Sequence, residues 1–376
     1  MSSDIPFIRP NLPPADYLAL DYQAIVESNW YTNFGPFERK FATSLGAYIG
    51  EGVYAATFSN ATLALIAALY TALGRGDGTK FVLMPSFTFV AGAQALLWCG
   101  YKPLFIDIEP DSLQMSIQYA RISIASGRKL AGILLCNAFG VGIPSIGLWE
   151  SIAEENGLPL IIDSAAGFGS KYSKGEKLGK RGLCEIFSFH ATKPFAIGEG
   201  GAVSSRNPEF ISRLKHFQNF GFRDGRDAEQ LGLNAKLQEI NAAIGLRQLE
   251  HFDERIESRQ ATLQAYRAGL SRLGYQFQLN AERSSLCFAS VVCRSSRQKK
   301  SVLGALHSDG VQARDYYNPP LHMQAYFKEN SGAWVADNLD VTEEVAQRVI
   351  SLPVHDFMDD NEIERIINII QGVTHE

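Results

Sequence analysis

The run Ser188-Phe189-His190-Ala191-Thr192-Lys193-Pro194-Phe195-Ala196-Ile197-Gly198-Glu199-Gly200-Gly201 decides how the rest of the chain is read. It enters as an apolar, strand-like segment through Ile186, Phe187 and Phe189. It leaves through Gly198 and Gly200-Gly201, residues that let backbone turn tightly or approach a ligand closely. Between these ends stands one lysine, flanked by Phe189, Pro194, Phe195 and Ile197. Desolvation among apolar neighbours favours the neutral, nucleophilic form of an amine. The alternative is a lysine that reaches past an apolar strand end into water.

Asp163 tips the balance. It closes Leu158-Pro159-Leu160-Ile161-Ile162-Asp163, which reads as a buried parallel strand with a carboxylate at its C-terminal end. Ligands of open α/β sheets bind in the crevice outside the carboxyl ends of the strands. Lys193 follows a later strand-like run, so both groups are expected to face one crevice. A lysine that forms a Schiff base, with a carboxylate paired to a pyridinium nitrogen, is the minimum chemistry of pyridoxal phosphate enzymes. Alone, Asp163 reads equally as the cap of a following helix.

The segment from Leu160 to Val203 carries Ile161-Ile162-Asp163-Ser164-Ala165-Ala166-Gly167-Phe168-Gly169, then Phe187-Ser188-Phe189-His190-Ala191-Thr192-Lys193-Pro194 and Gly198-Glu199-Gly200-Gly201. In these motifs it resembles the DegT/StrS-type nucleotide-sugar aminotransferases, which are fold-type-I pyridoxal phosphate enzymes of the aspartate aminotransferase superfamily. The likeness extends over nearly the whole chain. It implies an α/β fold with a large domain, built on a mainly parallel doubly wound sheet, and a smaller C-terminal α+β domain.

Composition sets limits around this. With 376 residues, a large domain plus a smaller one is the natural expectation. The division is drawn as 1–249, with an N-terminal arm and the cofactor site, and 250–376. A hydrophobic fraction of 46% against 20% charged describes a packed globular chain. A net charge of −5 without a basic tract argues against nucleic acid as partner. Five scattered cysteines without CxxC spacing read as reduced thiols of a cytoplasmic protein, not as a disulfide framework or a metal site. Met1-Ser2-Ser3-Asp4-Ile5-Pro6 shows no leader pattern, and no apolar run reaches the length of a membrane span.

Along the chain, strand-like and helix-like segments alternate from Gly52 to Asp163, as in a doubly wound sheet. Ser59-Asn60-Ala61-Thr62 lead from a strand into an Ala/Leu-rich helix, and free N–H groups at such a start form a phosphate site or simply an N-cap. By resemblance, Thr62 matches the family's phosphate-binding threonine, and Ala61 replaces the glycine before it. Ser188 matches a phosphate-binding serine, and Phe89 the aromatic that stacks on the cofactor ring. At 166 the family carries His or Gln against the cofactor's phenolic oxygen; Ala166 has no side-chain donor. Asn234 matches the residue that reaches a neighbouring subunit's cofactor phosphate, which implies a homodimer with shared active sites. Tyr31, before the Gly35-Pro36 turn, and His322, in Tyr316-Tyr317-Asn318-Pro319-Pro320-Leu321-His322, are substrate-side candidates by the same resemblance. His190 is another, or a satisfied structural histidine.

The resemblance implies a homodimeric aminotransferase of amino-sugar and cell-surface polysaccharide (O-antigen) biosynthesis. Lys193 holds pyridoxal 5'-phosphate, Asp163 keeps its ring nitrogen protonated, and glutamate gives its amino group to a keto-sugar. The expected acceptor is a nucleotide-linked 4-keto-6-deoxyhexose; a 3-keto-sugar, a cyclitol or a sugar dehydration are alternatives. Lys193 disfavours the dehydratase branch, which carries histidine there. A nicotinamide oxidoreductase lacks its G-x-G-x-x-G at the first strand–helix turn. A non-catalytic regulator is disfavoured by the intact set Lys193, Asp163, Ser188 and Thr62.

Overall fold

A computed structural model of the chain describes residues 4–223 and 225–374. Met1 to Ser3, part of the stretch read for a leader, lie outside them. Helices α1 (Ala15–Ser28) and α2 (Pro36–Ile49) precede β1 (Tyr54–Phe58). Alternation then runs through α3 (Ala61–Leu73), β2 (Phe81–Pro85), α4 (Ala91–Trp98), β3 (Lys102–Ile106), α5 (Ile117–Ala125), β4 (Leu130–Cys136), α6 (Ile146–Glu155) and β5 (Leu160–Asp163). Next come β6 (Cys184–Ser188), β7 (Gly201–Ser205), α7 (Pro208–Phe217) and α8 (Glu239–Glu250).

These strands form one sheet in the order β1-β7-β6-β5-β4-β2-β3; crossovers through α4, α5 and α6 make β2 to β5 parallel, and the helix-free connection over 164–183 returns β6 parallel to β5. Their residues are buried on both faces, alternately. Leu83, Ile133, Leu135 and Ile162 enter one core, while Val82, Met84, Leu134 and Ile161 enter the other. Period-two alternation between two apolar layers is what a sheet with helices on both sides requires. The fold is α/β, as read from the sequence. Only β7 departs from the parallel pattern: it runs antiparallel to both β1 and β6.

The remaining chain contributes α9 (Phe252–Leu270), β8 (Gln276–Phe277), β9 (Phe288–Val292), α10 (Ser296–Ser308), β10 (Val335–Ala336), β11 (Val349–Pro353) and a closing helix (Asp360–Thr374). Strands β8, β9 and β11 make a small antiparallel sheet. Two segments cross between the two sheets. The N-terminal arm bridges Ile5 to Val311, with the Gln312 N–H donating to the Ile5 carbonyl at 2.9 Å. In the other direction, β10 pairs parallel with β3 on the edge of the large sheet.

Local chemistry fixes the entry to the site. Pro36 occupies the first turn of α2, where its missing N–H costs nothing. The free N–H groups of Phe37 and Glu38 there donate to the Glu239 carboxylate of α8, at 2.8 and 2.9 Å. Phe41, Leu45 and Ile49 recur on one face of α2 and are buried. The α2–α8 contact is close because position 245 is glycine: a Cβ there would lie 2.4 Å from the Phe41 ring.

Candidate active site

A cavity of about 760 Å³ opens at the C-terminal ends of the parallel strands. Its wall gathers Ala61, Thr62, Phe89, Asp163, Ala166, Ser188, His190 and Lys193. Residues far apart in sequence are thus brought to one place by the strand order.

Lys193 sits near the tip of an irregular extension of β6 and β7. The ladder continues through Phe189 N–H to Gly200 O at 2.9 Å, Ala191 N–H to Gly198 O at 2.8 Å, and Ile197 N–H to Phe189 O at 2.9 Å. Gly198, with φ of +89°, makes the return that residues with a Cβ rarely adopt. Phe189 and Phe195 anchor the loop in an aromatic cluster; Phe195 lies 4.8 Å from Phe168 and 5.0 Å from Phe252, centroid to centroid. The apolar neighbours are therefore core, and the half-buried lysine is turned to the cavity.

Asp163 ends β5 in register with Cys136 of β4. Its Oδ1 accepts the Ala165 N–H at 3.0 Å. Burial pushes its carboxyl above the ordinary range, and the Ala165 N–H and the Lys193 charge pull it back in part. Such a carboxylate gains from a cationic partner in the cavity.

Asn60 caps α3, its Oδ1 accepting the Leu63 N–H at 2.9 Å. The N–H groups of Ala61 and Thr62 stay free of helix partners, at the positive end of the helix dipole. Ser188 stands opposite Gly201 in the β6–β7 ladder, and Gly201 stands opposite Phe58 at the end of β1. That register sets the Ser188 hydroxyl beside the α3 N-terminus, which follows β1 directly. A hydroxyl next to two free amides on a helix N-terminus is an anion cradle.

His190 lies on the rim. Its Nδ1 accepts the Thr192 N–H at 3.2 Å and faces the Thr192 hydroxyl at 2.8 Å. A ring nitrogen that accepts a backbone N–H carries no proton, so the neutral ring holds its proton on Nε2, which points to Glu199 at 3.6 Å.

Three sequence candidates lie elsewhere. Tyr31 is exposed, and its carbonyl accepts the Glu239 N–H at 3.0 Å. Asn234 is exposed beside Ala235, whose carbonyl takes the Ser59 N–H at 2.9 Å. His322 has both ring nitrogens engaged, Nδ1 with the Ser86 hydroxyl at 2.7 Å and Nε2 with Glu343 at 3.2 Å, and its burial lowers its pKa. None of the three lines the cavity.

The cavity also contains residues that sequence reasoning passed over, among them Cys136, Asn137, Phe139, Cys287, Phe288, Tyr316 and Tyr317. Asn137 follows β4 directly, so the strand-end rule that singled out Asp163 also reaches it. The aromatic residues come from loops and the small sheet, where no periodicity signals them.

The sequence profile of the DegT/DnrJ/EryC1/StrS aminotransferase family matches residues 17–371. The chain belongs to this family. Protein Rv3402c of Mycobacterium tuberculosis is 52% identical to this aminotransferase over 98% of its chain and 89% of the relative, and its name states no activity. The dTDP-4-amino-4,6-dideoxy-D-glucose transaminase of Shigella dysenteriae is 29% identical over 99% and 100% of the two chains. Among solved structures, a DegT DnrJ EryC1 StrS aminotransferase from Brucella abortus superimposes with a TM-score of 0.87 at 28% identity, covering 96% of each chain. Among the described residues, no helix is long and apolar enough to cross a membrane.

Proposed function

We propose that this aminotransferase moves the amino group of glutamate to the ketone of a nucleotide-linked 4-keto-6-deoxyhexose. One observation carries the reading: Lys193, Asp163 and the cradle of Ala61, Thr62 and Ser188 line one cavity. That set fits pyridoxal phosphate. The cradle suits a phosphate, the buried Asp163 carboxylate suits a protonated ring nitrogen, and the Lys193 amine suits an aldehyde. Phe89, exposed on the cavity wall, offers a face on which a flat ring can stack. Ala166 contributes only its small side chain. When bound, the cofactor supplies an electron sink.

The chain's own groups do the rest. Asp163 holds the proton on the ring nitrogen. The Lys193 amine takes the proton from the Cα of the amino donor and later delivers one to the carbon that bore the ketone oxygen, a general acid–base role. The rim pair His190–Glu199 stands where substrate enters, which supports a substrate-side place for His190.

The reading includes a homodimer with shared sites, in the cytoplasm. Two observations support the dimer. No arginine lines the described cavity, so carboxylate and diphosphate charges call for cations from a second chain. Beside α3 lies an apolar groove lined by Leu63, Ile66, Tyr70, Phe217 and Leu231, with Trp98 78% exposed, a surface suited to burial. Asn234 sits next to this face and is assigned to the partner's phosphate; Tyr31 and His322 keep only the family resemblance in their favour.

The test is direct. The purified protein, loaded with cofactor, is given glutamate and nucleotide-linked keto-sugars that differ in nucleotide, ketone position and C6 oxygen. Release of 2-oxoglutarate with an aminated 4-keto-6-deoxy product supports the reading. Amination of 3-keto-sugars or cyclitols alone replaces the acceptor.

A further inference from the structure

Pyridoxal phosphate presents four polar groups: phosphate, ring nitrogen, aldehyde and phenolic oxygen. On the reading above, the first three are met by the α3 cradle, Asp163 and Lys193. The phenolic oxygen needs a donor, and most polar side chains on the cavity wall are already committed. The Asn137 amide donates to the Ser164 hydroxyl at 2.8 Å and accepts the Ile143 N–H at 2.9 Å. Thr88 donates to Cys136 Sγ at 3.0 Å. Thr192 and His190 serve each other at the rim.

Tyr317 is different. Its ring is clamped, stacked on Phe139 at 5.1 Å and 19° and edge-on to Phe87 at 5.6 Å and 79°. Its hydroxyl has no hydrogen-bond partner among the described residues. That hydroxyl lies in the same corner of the cavity as Asp163, Cys136 and Cys287, and burial keeps it protonated far above neutrality. It packs in the same apolar cluster as Ala166, whose small side chain leaves space in that corner. A protonated hydroxyl on an immobile ring, unpaired in a cavity, is a donor awaiting an acceptor.

We propose that the Tyr317 hydroxyl donates a hydrogen bond to the phenolic oxygen of the cofactor held on Lys193. The inference rests on the pyridoxal phosphate reading of the cavity and assigns one residue within it. A donor there stabilises the oxyanion and so lowers the proton affinity of the nitrogen conjugated with it.

The experiment is a spectrophotometric pH titration of the holoenzyme and of Tyr317→Phe, which keeps the ring packing. Loss of a hydrogen bond to a charged oxygen is expected to raise the midpoint of the near-visible transition by roughly one to two pH units. An unmoved midpoint overturns the assignment. A second measurement uses the unaltered protein, whose affinities for pyridoxal phosphate and for its 3-deoxy analogue are compared. Weaker binding of the analogue, with the difference abolished in Tyr317→Phe, supports the bond. Equal affinity of the unaltered protein for both overturns it even where the variant fails to fold. Failure to bind either compound overturns the cofactor reading itself, whereas binding with an unmoved midpoint removes only Tyr317.

Discussion

A methyl group on Gly201 would lie 2.7 Å from the backbone nitrogen of Ala61, a distance that carbon and nitrogen do not tolerate unbonded. The start of β7 and the start of α3 touch through backbone alone, and this contact holds the α3 amides beside Ser188. Gly201→Ala must push the two apart. Cofactor affinity is expected to fall about tenfold or more, the equivalent of one well-formed hydrogen bond. Equilibrium dialysis against pyridoxal phosphate measures it, with circular dichroism as the check on the fold. Unchanged affinity would mean that the cradle does not hold the phosphate.

Lys193→Ala removes the acid–base group of the proposed transfer. Turnover is expected to drop by at least about 10²–10⁴-fold, the range of a positioned proton-transfer group. Borohydride treatment of the unaltered holoenzyme followed by peptide mass mapping is expected to find the cofactor on Lys193. Substantial residual transamination by the variant contradicts the assignment.

Asp163 gives a pH-dependent stability effect with a definite sign. Its folded-state pKa lies above its ordinary value of 3.8, because burial outweighs the Ala165 N–H and Lys193. The folded apoprotein therefore holds a proton at pH values where the unfolded chain has released it. Stability falls as pH rises through that window. Asp163→Asn removes the penalty. The apo variant is expected to melt above the unaltered apoprotein at neutral pH, with the gap closing towards pH 4, while cofactor-dependent activity is lost. A variant that melts lower at every pH would show that the carboxylate stabilises the empty fold.

His322 distinguishes a packing role from a substrate role. Between Ser86, which is fully buried, and Glu343, it ties the segment after Pro320 to the end of β2. His322→Ala is expected to cost about 1–2 kcal/mol of stability, the loss of a buried hydrogen bond. Thermal melts measure the cost. KM for either substrate, per folded protein, is expected to stay within about threefold. A large rise in KM with unchanged melting would restore the substrate role suggested by its sequence neighbours.

Much of the site is legible in the sequence for physical reasons. Asp163 ends an apolar run, Thr62 begins an Ala/Leu helix, and Lys193 lies between aromatic residues and glycines. Each is a local pattern tied to a strand or helix end. What is not legible depends on partners distant in the chain. His322 meets Ser86 across 236 positions, and only the fold reveals that both ring nitrogens are engaged. Tyr316-Tyr317 is visible as an aromatic pair, but no periodicity tells that both residues line the cavity. The two-residue β10 is too short to carry a periodic signal, and β7 follows β6 through a loop with no helix, so its antiparallel direction is set by pairing with β1 and β6 rather than by any local pattern. Helix α5 starts only at Ile117, because Leu113 takes a positive φ and the Gln114 amide is bound to the Val141 carbonyl at 2.6 Å, contacts that no local pattern signals.

The central claim is that Lys193, Asp163 and the α3 cradle hold pyridoxal phosphate for transamination from glutamate. Its most direct test is the near-visible absorption of the protein incubated with pyridoxal phosphate, before and after glutamate is added. A yellow band that glutamate bleaches is the expected result. A protein that stays colourless after incubation with the cofactor would contradict the account.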